Sequence, residues 1–486
     1  MKLILALGIL LSGEAFSKDI PSKLTLPFVL KAAIQNADSY QALQAKDWEA
    51  DSSFAARNAG LDFTVISQFS YLNQKADTAT PFSPSGLSAK QWEVGVKKAF
   101  ITGTALQAGY RSAFNTISFS GGGTVVPDYY ENTFFASVSQ NLWADFLGIA
   151  SRARSKKFEL RGRALELEAL EARDRWTMDL FDLYYRSWMA QNNFFAAQDN
   201  LERRTKLLET MKIKVRKGTA ERPDLLQVQS AQLFSKNQLS QAKADLDAIW
   251  KSLIVTLKLD PRLARFPPEK VPMELNGLPA ESERICAKKV SPENTVAVER
   301  AKFIAEAAAF GLEKAQSEKN PKLQLLGSYE SNGINRFNNI AREEAWGRDH
   351  PTWKAMLQLE VPLGFSAQDS ELQQARANAL VAKTAYSSTL DNKKIELEKN
   401  CDLFERSLVE LKDIQSAFAA QKERLELEES RFRLGRSTTT QVIQAGDDRT
   451  QAIQAKNAGE VRLRQLAWKV IQSTETLASY REKWNE

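Results

Sequence analysis

From Phe146 to Lys217 the sequence holds no proline and only two glycines, Gly148 and Gly162. Such a stretch predicts one helix of some 70 residues, about 105 Å long at 1.5 Å per residue. A second helix of nearly 70 residues ends at Gly435. Ordinary globular helices run about 8–20 residues, so no compact core encloses two elements of this length. The segments that end the two long helices also match. "KVRKGTAERPDLLQVQSA" (Lys214–Ala231) and "RFRLGRSTTTQVIQA" (Arg431–Ala445) align without a gap at an offset of 217 residues. Gly218 falls on Gly435, Leu225 on Val442 and Leu226 on Ile443. Each reads as basic residues, a glycine turn, and a new Gln-rich helix.

The duplication extends outward. Residues 24–60 read as a helix and 62–73 as a strand, with Phe63, Val65, Phe69 and Tyr71 on one face. A Pro/Ser/Gly stretch and a hairpin over Gln91–Phe114 come next, then a strand around Phe134, Ala136 and Val138. The second half repeats the order: a helix from Asn294, a strand over Lys322–Glu330, and a loop holding Gly333, Gly347 and the lone His350. A strand over Trp353–Val361 leads into the second long helix and a last helix to about Tyr480. Between the halves, residues 260–292 hold Pro261, Pro267, Pro268, Pro272, Pro279 and Pro292, six of fifteen prolines, and read as a linker. Leu239, Leu246 and Leu253 recur every seven residues in the helix from Pro223 to Leu259, a coiled-coil seam.

Composition narrows the function. The +6 balance of 66 basic against 60 acidic residues is too even to indicate nucleic acid. After the N-terminus no run of 18 apolar residues appears, which excludes a helical membrane span but not a barrel. Residues 1–17 read as a signal peptide: Lys2, the apolar run Leu3–Leu11, and Ala15-Phe16-Ser17 before a cut at Lys18. Neither cysteine, Cys286 nor Cys401, is placed for lipidation. His350 beside Asp349 makes no constellation with either cysteine, so no catalytic residue, metal or cofactor is expected.

Strands that are apolar on one face, few, and separated by helices far too long for a sandwich fit a membrane barrel. A barrel takes at least eight strands. About six are counted here, four in the first half and two in the second, so an oligomer is expected. In the first half, two short helices end to end match one long helix in length, which suits a hollow helical cylinder.

In this order and duplication the chain resembles the TolC family of outer-membrane efflux proteins over essentially the whole mature sequence. The carriers are the two glycine turns, "LEVPLGFSAQDSELQQARANALVA" with Pro362 and Leu363 at a strand-to-helix junction, and "LTLPFVLKAAIQNADSYQAL" at the N-terminal helix. "VSQNLWADFLGIASRARS" is a weaker first junction, with Asn141 where proline is usual. The resemblance implies an α+β membrane protein: a trimeric TolC-like fold, an outer-membrane β-barrel continued by a long periplasmic α-helical barrel, built from two internal repeats. The repeats would be residues 18–259 and 293–486. It implies a homotrimer set in outer-membrane lipid that works with a periplasmic adaptor and an inner-membrane pump, in tripartite efflux or type I secretion. Arg216, Lys217, Gly218, Thr219, Arg433, Leu434, Gly435, Arg436 and Ser437 would be the adaptor-docking tips.

One departure stands out. Two aspartates that follow the second tip in the best-known members match Gln441 and Gln444 here. Asp447 and Asp448, one turn further in, either substitute for them at a periplasmic gate or are a solvated pair. The basic tip residues either complement helix C-termini or select anionic cargo. Cys286 lies 35 residues before Pro321 and Cys401 about 36 after Phe365, which by helical rise puts both about 50–55 Å below the barrel. In the oxidising periplasm a disulfide between neighbouring antiparallel helices is expected, against two buried thiols. The hairpin over Gln91–Phe114 leaves two counts open: twelve strands per trimer with a pair outside, or near eighteen. The rival reading is a periplasmic adaptor or a structural coiled-coil protein; an adaptor would carry one helical hairpin flanked by compact β-domains.

Overall fold

The alternating residues of both halves pair into one sheet. The computed structural model describes residues 23–75, 84–119, 128–259, 268–288, 291–474 and 477–485; the signal-peptide reading lies outside them. Six strands run in sequence order: β1 (Phe63–Lys75), β2 (Pro84–Ala99), β3 (Thr104–Phe119), β4 (Tyr129–Asn141), β5 (Lys322–Asn335) and β6 (Pro351–Glu360). Every neighbouring pair is antiparallel. The chain divides into two spatial units, each drawing on both sequence halves.

The unit that holds the sheet comprises Asp47–Glu166 and Arg300–Ser388. The register sorts its side chains by chemistry. Phe63, Val65, Phe69, Trp92, Val94, Val96, Leu106, Val138, Leu325, Trp353, Leu357 and Leu359 are exposed and share one face. The opposite face carries the Glu93–Arg111 ion pair at 2.9 Å, the Thr133–Asn332 hydrogen bond at 2.8 Å and the Lys322–Glu360 ion pair at 3.2 Å. Leu72, Ile334 and Met356 are exposed apolar residues on that polar face. Phe135 also lies there, over Gly109, where a Cβ would come within 2.6 Å of its ring.

Between β5 and β6 the sequence reading placed a loop. The structure instead extends β5 past Gly333 and forms helix α8 (Asn338–Gly347). Ala341 and Ala345, four apart, are buried at 0% and 1% exposure against the apolar face. Gly333 makes the approach feasible, since a Cβ there would sit 2.0 Å from the Ala341 carbonyl oxygen. The helix accepts hydrogen bonds from polar residues at this end of the apolar face: Asn132 donates to Asn338, and Ser331 donates to the Ala345 carbonyl at 2.6 Å.

Four helices leave the sheet. Residues 24–60 form three helices rather than one: α1 (Leu26–Asn36), α2 (Asp38–Gln41) and α3 (Gln44–Ala56). The break lies at Ala37, whose backbone is extended (φ −74°, ψ 120°); beyond it Tyr40 packs against Trp176 with ring centroids 4.7 Å apart. After β4 comes α4 (Ile149–Arg216), after α7 (Val296–Glu318) comes β5, and after β6 comes α9 (Ser366–Arg433). The β4–α4 junction bends sharply, with Asp145, Leu147 and Gly148 at φ 58°, 47° and 77°. Asp145 then caps the long helix by accepting from the Ser151 amide at 2.9 Å and its hydroxyl at 2.6 Å. Within α9, Val381, Ile395 and Val409 recur every fourteen residues and stand 67%, 63% and 61% exposed.

The other unit is helical and comprises the chain to Lys46, Leu167–Glu299 and Thr389 onward. It adds α5 (Arg222–Thr256), α6 (Ala280–Lys288), α10 (Thr439–Thr474) and α11 (Ala478–Asn485). Its core gathers Phe181, Tyr184, Tyr185, Trp250, Leu253, Trp468 and Ile471. Tyr185 accepts from the Trp468 indole at 2.8 Å, and burial pushes its phenol up to about 12. The proline-rich linker is tied down by buried Gln191. Its amide donates to the carbonyls of Pro268 and Val271 and accepts from the Met273 amide.

Cys286 and Cys401 are bonded, with Cα atoms 5.4 Å apart. Cys286 sits on α6, inside the linker. The helical count from Cys286 to Pro321 does not apply, because Pro292–Asn294 form a separate turn before α7. No helix among the described residues is long and apolar enough to cross a membrane.

Candidate functional site

Both long helices end in the same backbone device. Gly218 and Gly435 take φ +71° and +74°, left-handed values that glycine adopts without a Cβ penalty. The Gly218 amide bonds to the Val215 carbonyl and the Thr219 amide to that of Lys214, at 3.0 and 2.9 Å. At the second tip the Gly435 amide bonds to the Phe432 carbonyl and the Arg436 amide to that of Arg431, at 3.2 and 2.8 Å. This is the Schellman arrangement, which satisfies the last helix carbonyls. A Cβ at either glycine would meet nothing within 4 Å, so backbone conformation, not crowding, selects glycine.

The restart differs between the tips. Helix α5 opens with a proline in its first turn. Helix α10 opens with a reciprocal capping box: Thr438 Oγ1 accepts from the Gln441 amide at 3.3 Å, and Gln441 Oε1 accepts from the Thr438 amide at 2.9 Å. Gln441 therefore has a structural task that favours an amide or carboxylate at this position. Ser437 donates to Glu428 at 2.5 Å and packs its hydroxyl against Gln441 at 3.1 Å.

The two tips are joined. Met211, Val228, Phe432 and Val442 form a small core between them. Lys214 reaches across to donate to the Phe432 carbonyl at 3.0 Å, its ammonium 3.8 Å from the Phe432 ring centroid. That contact neutralises a helix C-terminus, the first of the two uses open to the basic tip residues. Leu434 projects from the second tip at 69% exposure.

Within about three turns of that core, a set of charges connects α4, α9 and α10. Arg204, with a side chain 4% exposed, donates to Asp447 at 2.8 Å and to the Ile443 carbonyl at 2.6 Å. Gly446 permits this approach, since a Cβ there would lie 3.2 Å from the guanidinium. Asp448 turns the other way, accepting from Arg424 at 2.7 Å and from Gln444 at 2.9 Å. Asp199 receives Arg449 and Arg203, and Arg203 also reaches Glu429 at 3.2 Å. Burial opposes ionisation of Asp199, but the two arginines outweigh it and hold its carboxyl below the usual carboxylate range. A cavity of about 310 Å³ lies among Arg203, Arg204, Glu429, Phe432 and Gly446.

The arrangement thus puts Asp447 in a tie to α4, puts Asp448 with Gln444 in a separate tie to α9, and leaves Gln441 to the helix cap. Sequence reasoning missed Asp199, Arg203, Arg204, Arg424, Glu429 and Arg449. Their partners lie as far as 250 positions away, and none is part of the duplicated motif.

No family model matches the chain, and no curated protein does. Solved structures do. The outer membrane protein VceC of Vibrio cholerae aligns with a TM-score of 0.68 at 16% identity, over 92% of this chain and 95% of that one. The CmeC outer membrane channel of Campylobacter jejuni aligns at 0.67 and 13% identity, over 95% and 89%. The open state of the Neisseria gonorrhoeae MtrE channel aligns at 0.65 and 13%, over 92% and 88%. The fold is TolC-like. Gly218 lies between α4 and α5 and Gly435 between α9 and α10, so each glycine turn ends one helical hairpin.

Proposed function

We propose that this chain is the protomer of an outer-membrane channel, a homotrimer whose barrel continues into a periplasmic helical duct. The observation that carries the reading is the sheet. It is apolar on one exposed face and charged on the other, and among the described residues both its edges are unpaired. Lipid suits the first face, water the second, and only closure removes the edges. The likeness to solved outer-membrane channels supports the same assignment. The exposed fourteen-residue stripe on α9 has the period of a helix seam and suits contact with a neighbouring copy.

Within this reading the channel is the exit duct of a tripartite efflux pump or type I secretion system. A periplasmic adaptor docks at Arg216, Lys217, Gly218 and Thr219 and at Arg433, Leu434, Gly435, Arg436 and Ser437. The two ties, Arg204 to Asp447 and Arg424 to Asp448 with Gln444, hold the duct end closed, in place of an acidic ring. The chain is organised as two repeats, 18–259 and 293–486, joined by 260–292; the matched turns at Gly218 and Gly435 support that division. Cell fractionation tests the assignment. The protein is expected in the outer membrane as a detergent-extracted trimer. Recovery as a soluble periplasmic monomer would favour the adaptor or coiled-coil reading.

A further inference from the structure

We infer that three copies of this chain close an eighteen-stranded barrel, with β6 of one copy paired to β1 of the next. The inference rests on the proposed channel and adds the strand count and the seam. Six strands per chain form one continuous meander. Strand β1 is matched to β2 over its whole length, from Phe63↔Lys98 to Lys75↔Gly86, and β2 to β3 up to Ala99↔Ala105. The additional hairpin is therefore part of the sheet, not an appendage beside it.

Side-chain chemistry has the same continuity. One row runs Val65, Val96, Ala108, Ala136, Tyr329, Trp353 across all six strands on the apolar face. A barrel of twelve strands would use β3–β6 and leave β1 and β2 outside. Phe63, Val65 and Phe69, exposed at 72%, 70% and 73%, would then have no lipid to face. Both edges are ready for pairing. Strand β6 is exposed at all ten residues, and its one proline, Pro351, is its first residue. Unblunted edges of this length are rare in isolated sheets. An even strand number also makes β1 and β6 run in opposite directions, so a β6–β1 seam keeps the antiparallel order.

With strands about 4.8 Å apart and tilted about 40°, eighteen strands give a barrel about 36 Å across, against about 24 Å for twelve. The Glu93–Arg111 pair would then line a wide aqueous lumen.

Cysteine pairs on the polar face decide between the seams. Gln68→Cys in β1 and Gln107→Cys in β3 are each combined with Lys354→Cys, Met356→Cys or Gln358→Cys in β6. Native mass measures the oligomer, and non-reducing gels after heat denaturation measure cross-linking between copies. The native Cys286–Cys401 bond lies within one chain and links none. A trimer whose Gln68→Cys variants form reducible ladders, with Gln107→Cys variants staying monomeric, is expected. Ladders from Gln107→Cys alone, or a trimer that cross-links in neither set, would overturn the β6–β1 seam while leaving the channel reading intact. Absence of any trimer would sink both.

Discussion

Arg481→Met is expected to destabilise the helical unit by about 3–5 kcal/mol, the usual cost of stranding one partner of a buried ion pair. Asp174 and Arg481 have side chains only 8% and 7% exposed, and they meet at 2.5 Å. Asp174 also accepts from the Leu477 amide at 3.1 Å, and Arg481 donates to Thr177 at 3.2 Å. The pair fastens α11 to α4, where Trp484 packs edge-on to Trp468 and beside Phe181. Burial already pushes the Asp174 carboxyl above its ordinary value despite the arginine. Without Arg481 that shift grows. Because the folded pKa is raised, the folded state binds the proton more readily than the unfolded chain. The defect of Arg481→Met should therefore shrink as pH falls through the folded pKa. Adding Asp174→Asn should recover part of the loss at neutral pH. Thermal unfolding of the three proteins followed by circular dichroism checks this; an unchanged melting temperature in Arg481→Met would contradict it.

Removing the disulfide is the second large effect. Cys286 and Cys401 are separated by 115 positions, and closing a loop of that size restricts the unfolded chain by roughly 4–5 kcal/mol in the chain-entropy description. The bond also ties down α6, which otherwise buries Ile285 and Ser282. Cys286→Ser with Cys401→Ser should lower stability by about 2–5 kcal/mol. Amide exchange over residues 280–288 should accelerate first. Treating the unaltered protein with reductant should reproduce both effects. Protection of α6 that survives both treatments would show that packing alone holds it.

Much of this fold was legible because its signals are local and periodic. The proline-free stretches marked α4 and α9, and alternation marked five of the strands within a few residues. Ser85–Lys90 has the chemistry of a loop yet extends β2, with Gly86–Lys90 paired to both β1 and β3. Helix α8 was missed because its burial rests on two alanines, Ala341 and Ala345, among charges; only the sheet beneath explains them. The break at Ala37 has no strong local breaker and is fixed by contacts such as Tyr40 on Trp176. At the tips, duplication exposed both glycines because each turn needs the same left-handed backbone. The charges behind the tips obey no such rule. Arg204 finds Asp447, and Arg424 finds Asp448, through the packing of three helices, and spacing along the chain carries no trace of that.

Conductance across a planar lipid bilayer bears most directly on whether the chain forms a conduit. Reconstituted trimer should give discrete, long-lived current steps. Arg204→Gln combined with Asp448→Asn removes one charged tie from α10 to each long helix, Arg204–Asp447 and Arg424–Asp448, and openings should then become more frequent or larger. Trimer that inserts correctly yet passes no current, both unaltered and with the two ties removed, would contradict the channel and leave a structural role in its place.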